Sequence, residues 1–233
     1  MTKQEICQQI YTVYNELSEA IKCDDIKLIK ELALKLHSMV HPAEISDKKD
    51  ETIADHVFKF MKNGNRDMLV PRENYETDLH YAGAKDVPLC WYFWHTYRIE
   101  DIVSNILISD GKQIFNADWQ SRIGASIIDT GNALTVNEAT EFIKNINTEE
   151  LYKYMLAVGR NTRKIIQDLT LEQINSMVPE ERVMRILEEG GVTTDFRSVW
   201  LLVFWGRLTI GGMILTPLTS HHMMHLPAVF ERI

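Results

Sequence analysis

At 233 residues and 27.0 kDa the chain has the size of one large domain, or of one domain with elaborations. A composition of 45% hydrophobic and 25% charged residues excludes disorder, collagen and low complexity as descriptions of the whole chain. The formal net charge of -8 argues against non-specific nucleic-acid binding, and basic runs such as Lys48-Lys49 are diluted by neighbouring acids.

The apolar periodicity is helical almost throughout. Ile6, Ile10, Val13, Leu17 and Ile21 form one stripe of a first helix. Asp24 can cap a second, with Ile26, Ile29, Leu32, Leu36 and Val40 inward and Pro42 as its stop. A short helix is expected over Thr52 to Met61, then a long loop from Lys62 to Val87. Pro88 opens a helix that runs to about Ser109. Trp119 falls in an irregular connection. Thr135-x-x-Glu138 is a capping box for a helix ending near Ile146, and the clearest helix spans about Glu149 to Leu169. Thr170-x-x-Gln173 caps a short segment, and Glu180 to Glu189 forms another, closed by Gly190-Gly191. From Asp195 onward the pattern reads as helix, broken at Gly211-Gly212 and resumed at Pro217 with Thr216 as cap. Pro227 is expected to kink or shorten the last helix. The expected fold is all-α, a single helical-bundle domain over residues 1–233.

Cys7, Cys23 and Cys90 form no C-x-x-C, so neither a disulfide framework nor a cysteine zinc site follows. A reduced, cytoplasmic setting is expected, and MTKQEICQQI lacks the apolar run of a signal peptide. The apolar stretch from Val199 to Leu218 holds Arg207 near its centre, which favours a buried helix pair over a membrane span. Arg207 is then expected to have a buried polar partner.

The chemistry-bearing residues are histidines. His37/His41 and His221/His225 are each spaced i, i+4, one turn apart on a helix face, so both members of a pair can reach one ion. Leu218, His221, His225 and Val229 share a stripe, as do His95, Ile99, Ile102 and Ile106. Three inward histidines on two helices can hold a metal in a bundle core, although each is also an ordinary core histidine when taken alone. His37 and His41 lie in the last turn before Pro42, where a helix C-terminus favours protonated histidine without any metal. His222 faces away from His221 and His225 by about 100° of helix rotation. Glu100, five residues beyond His95, is about 140° round the helix and off the metal face. Arg98 is expected to pair with a neighbouring acid on the bundle surface, or to hold an anionic substrate. No catalytic base is assigned.

WYFWHTYRIEDIV (91–103) resembles the second-helix signature of the DinB-like family, and SHHMMHLPAVF (220–230) resembles its terminal H-x-x-x-H helix. INTEELYKYMLAVGRNTRKIIQDL (146–169) resembles the helix between them. The resemblance covers residues 88–233; residues 1–87 match as a first bundle helix with extra helices and a loop. It implies an up-down-down-up four-helix bundle, with bundle helices from residues 3–41, 89–109, 149–169 and the chain's end, plus additional short helices and long connections. It also implies a divalent metal (Zn, Ni or Fe) held by His95, His221 and His225. Pro227 departs from the glycine usual in that terminal helix. Some relatives are metal-dependent thiol transferases, so a metal-dependent transferase or hydrolase acting on a small-molecule or thiol substrate is implied. A homodimer is one expected assembly; no nucleic-acid or membrane partner is expected. Two alternatives stay open: a non-catalytic metal- or ligand-binding protein, and a structural bundle with core histidines.

Overall fold

The computed structural model describes residues 2–71, 86–231 and 233, and over them the chain is mostly helical. The helices are α1 (Lys3–Lys22), α2 (Ile26–Val40), α3 (Ile53–Phe60), α4 (Leu89–Ile102), α5 (Ala117–Ile123), α6 (Val136–Lys144) and α7 (Thr148–Asp168). They continue as α8 (Leu171–Asn175), α9 (Glu180–Glu188), α10 (Phe196–Gly206), α11 (Ile210–Leu215) and α12 (His221–Phe230). Two short strands, β1 (Leu69–Pro71) and β2 (Asp86–Pro88), pair antiparallel with Val70 opposite Val87. The long loop expected over Lys62 to Val87 is therefore pinned at its ends; residues 72–85 lie outside the described residues.

Local sequence explains most helix boundaries. Capping boxes start α1 (Thr2/Glu5), α3 (Thr52/Asp55), α6 (Thr135/Glu138) and α8 (Thr170/Gln173). Asp25 rather than Asp24 caps α2, because Asp24 takes the left-handed turn between the helices at φ 56°. Pro88 precedes α4 instead of opening it, with its carbonyl side already extended. Trp119 lies in α5, which Asn116 caps through the amides of Asp118 and Trp119.

The apolar stretch after Val199 is divided differently from expectation. The break falls at Arg207–Thr209, where Thr209 caps α11, and Gly211-Gly212 lie inside that helix. Arg207 is exposed and needs no buried partner. Thr216–Ser220 then forms a wide π turn that runs unbroken into α12, so Thr216 caps nothing. Thr219 Oγ1 donates to the carbonyls of Ile214 and Leu215, both at 2.8 Å, and so satisfies groups that the wide turn releases. Helix α12 continues through Pro227 to Phe230. No described helix is long and apolar enough to cross a membrane.

Helix α2 touches α7, α7 touches α4, and both α2 and α4 touch the π turn and α12, closing a cycle of contacts; α1 packs on the outside of α2. All fourteen residues of α4 are buried, so it presents inward-facing side chains on every side.

Candidate metal centre

Helices α4 and α12 are neighbours in this cycle. His95, His221 and His225 come together there, with one ligand-capable atom from each lying within 4.8 Å of the others. Their relative exposures are 4%, 9% and 8%, so the group sits just beneath the surface. The i, i+4 spacing places His221 and His225 on one face of α12, with ring centroids 5.0 Å apart; His95 faces them from α4, 5.0 Å and 6.2 Å away.

The connection after α4 sets the orientation of His95. Its Nδ1 lies 2.8 Å from the carbonyl of Thr130, which only accepts, so Nδ1 carries the proton and Nε2 presents a lone pair. Thr130 is itself fixed: its amide donates to the Gly191 carbonyl at 3.1 Å and its hydroxyl to Asn132 at 2.8 Å. The Trp91 ring stacks on His95 with centroids 4.4 Å apart and planes within 11°. A carbonyl that locks the far nitrogen is the usual support of a metal-ligating histidine.

Gly131 makes this arrangement possible. It adopts φ +73°, and a Cβ there would lie 2.6 Å from Trp91 Nε1. Gly131→Ala is expected to cost ~1–2 kcal/mol from backbone strain alone, with more from displacing Trp91. Because the Thr130 carbonyl is bonded to the next residue, affinity for a divalent ion is expected to fall roughly 10- to 100-fold. A urea titration and a metal-competition assay read the two effects separately.

On the opposite faces of the same two helices lies a second cluster. Glu100 Oε1 is 3.1 Å from His37 Nε2, while its Oε2 is 2.7 Å from His41 Nε2 and 3.0 Å from His222 Nε2. His37, His41, Glu100 and His222 are each 0% exposed. His37 and His41 do lie at the C-terminal end of α2, but the expectation of protonated imidazoles there is corrected: both are buried, with rings stacked at 3.5 Å, and burial disfavours the charged form. His222 does face away from His95, but into α2, where its ring lies 4.2 Å from that of His41. Glu100 is likewise off the three-histidine face and serves this cluster instead.

Burial pushes His37, His41 and His222 down, His222 to about 4. Burial alone would raise the Glu100 carboxyl; the three imidazoles outweigh it and hold it well below the usual carboxylate range. Both kinds of shift make the fold weaker in acid. A histidine depressed to about 4 binds its proton in the unfolded chain first, so its stabilisation is complete above the unfolded value and lost as pH falls toward 4. Glu100 adds a loss below the carboxylate range. The unfolding free energy of chelator-treated protein is expected to drop between pH 6.5 and 4, by on the order of 3 kcal/mol for His222 alone. His222→Gln should flatten that part of a pH series of urea titrations.

Arg98 pairs with Asp101 at 3.1 Å, as a neighbouring acid, but the pair is buried and not on the surface. Its guanidinium also donates to the Ile128 carbonyl, to Gln113 and to Tyr154, so Arg98 ties the residue 111–134 connection to α4 and all three of its nitrogens are engaged within the protein.

Comparison with protein-family models, with curated proteins and with solved structures finds no match for this chain.

Proposed function

We propose that the chain is a DinB-like, metal-dependent protein of the cytoplasm that holds a divalent ion on His95, His221 and His225 and works as a thiol transferase. In this reading α2, α4, α7 and α12 are the four bundle helices in the up-down-down-up arrangement, and α1 is an added outer helix. The observation that carries it is the convergence of three imidazoles from two helices, one already locked as a lone-pair donor by the Thr130 carbonyl. Three neutral imidazoles suit zinc, nickel or iron(II). An ion held by three protein ligands keeps a position open and supplies Lewis acidity, which makes a thiol or a water easier to ionise.

Thiol transfer is favoured over hydrolysis by the placement of Glu100. A protein base beside the ion assists attack by a metal-bound water. The acid nearest His95 on α4 in the inward direction is engaged by His37, His41 and His222. Among the described residues no carboxylate belongs to the three-histidine group. A thiol, with a pKa of ~8.5, ionises at a metal without a protein base.

The test is turnover of low-molecular-weight thiols with an electrophilic acceptor, run beside simple esters and amides, with and without a chelator. Chelator-sensitive consumption of a thiol is expected. Rates that are equal with chelator present would overturn the reading, and esterase activity without thiol transfer would replace it with the hydrolase.

A further inference from the structure

The Glu100 cluster has more lone pairs than its hydrogens satisfy, and His41 exposes the discrepancy. Its Nδ1 lies 2.9 Å from the carbonyl of His37. A carbonyl only accepts, so in the neutral ring the proton is on Nδ1 and Nε2 carries a lone pair. That lone pair lies 2.7 Å from Glu100 Oε2, a second acceptor. Two acceptors in contact need a hydrogen or a cation between them, and the Glu100 carboxyl, held well below the usual carboxylate range, does not supply the hydrogen. A proton on Nε2 would supply it, but would leave an imidazolium in a core where His41 is 0% exposed and its charged form is penalised by burial.

The surroundings fit a cation better. Two more imidazole nitrogens approach the same carboxylate, His37 Nε2 at 3.1 Å and His222 Nε2 at 3.0 Å. Donor atoms of His37, His41 and Glu100 lie within 4.8 Å of one another. The far nitrogen of His41 already has the carbonyl partner that a ligating histidine commonly keeps. The His37 and His41 rings are stacked with 8° between their planes, so His37 must turn to aim at a shared ion. Its Nδ1 has no partner among the described residues to hold it back.

We propose that His37, His41, His222 and Glu100 form a second divalent-metal site, which takes a borderline transition ion such as zinc through three imidazoles and one carboxylate. His37, His41 and Glu100 already have donor atoms within 4.8 Å of one another, and His222, 3.0 Å from Glu100 Oε2, would complete a tetrahedron of the closed, structural kind, whereas the three-histidine group leaves a position open. The carboxylate offsets half the charge of the ion in the dry core. The ion would clamp α2, α4 and α12 together, and would fix the turn of α12 that points His221 and His225 at His95. The proposal does not depend on the three-histidine reading.

The full-length protein, stripped with chelator and reloaded with Zn2+, is passed through gel filtration and its zinc counted per chain. Wild type is expected to hold two ions, His95→Ala and Glu100→Gln one each, and the double variant none. His95→Ala reloaded with Co2+ should show the intense visible bands of a tetrahedral ion, and His95→Ala/His37→Ala should lose them. The proposal is overturned if folded His95→Ala, checked by circular dichroism, holds no zinc, or if Glu100→Gln holds as much as wild type. If Glu100→Gln does not fold, the folded His95→Ala protein decides alone. A His95→Ala count equal to wild type, with one ion lost in Glu100→Gln, would instead overturn the three-histidine site and support this one.

Discussion

Asp101→Ala is expected to destabilise the protein by ~3–5 kcal/mol, the range for leaving one member of a buried ion pair uncompensated. Asp101 is 0% exposed and accepts five hydrogen bonds. Oδ1 takes the Ile114 amide and the Asn105 side chain; Oδ2 takes the Phe115 amide, the Tyr154 hydroxyl at 2.6 Å and Arg98 at 3.1 Å. Removing the carboxylate strands the guanidinium of Arg98, two backbone amides and a phenol in the core. The loss also frees the connection that carries Thr130, so metal affinity should fall with stability. Asp101→Asn keeps the shape and drops the charge, and should fall between wild type and Asp101→Ala. Arg98→Met combined with Asp101→Leu removes both charges and should recover part of the stability lost by Asp101→Ala. Urea midpoints of the four proteins check the order.

His225→Ala has the largest expected effect on function. Its ring packs edge-on to Tyr92 at 5.1 Å and faces His95 and His221, so it contributes a ligand more than core volume. Loss of one ion per chain and of thiol turnover is expected, with the circular dichroism spectrum unchanged. A His225→Ala protein with full activity would remove the metal from the mechanism.

The two halves of the site differ in how far they could be read from the chain. Local periodicity is enough to turn His221, His225 and His95 inward, on an apolar stripe at i, i+4 spacing and a stripe of isoleucines, while their grouping as one ligand set is what the DinB-like resemblance implies. Glu100 and His222 fall off the metal face by helix rotation, and their role is hidden as long as each helix is given one inward face. That assumption fails for α4, whose residues are buried on every side. A rotation of about 140° from His95 therefore leads not to solvent but to a second interior face, against α2. His37 and His41 were legible as an i, i+4 pair, and what hid their role is tertiary: nothing local says that the end of α2 is covered by α4 and α12. The capping boxes of α6 and α8 depend on neighbours three residues apart and are as the sequence dictates. The break before α11 is set by Thr209 as its cap, and a glycine pair inside that short helix gives a misleading signal.

The central claim is that His95, His221 and His225 hold a divalent ion. Elemental analysis of the purified protein beside a His95→Ala/His221→Ala/His225→Ala variant of equal helix content tests it most directly. The account predicts one ion per chain fewer in the variant than in the wild type. Equal metal content in the two proteins, or a wild type that takes up no divalent ion when reloaded, would contradict it.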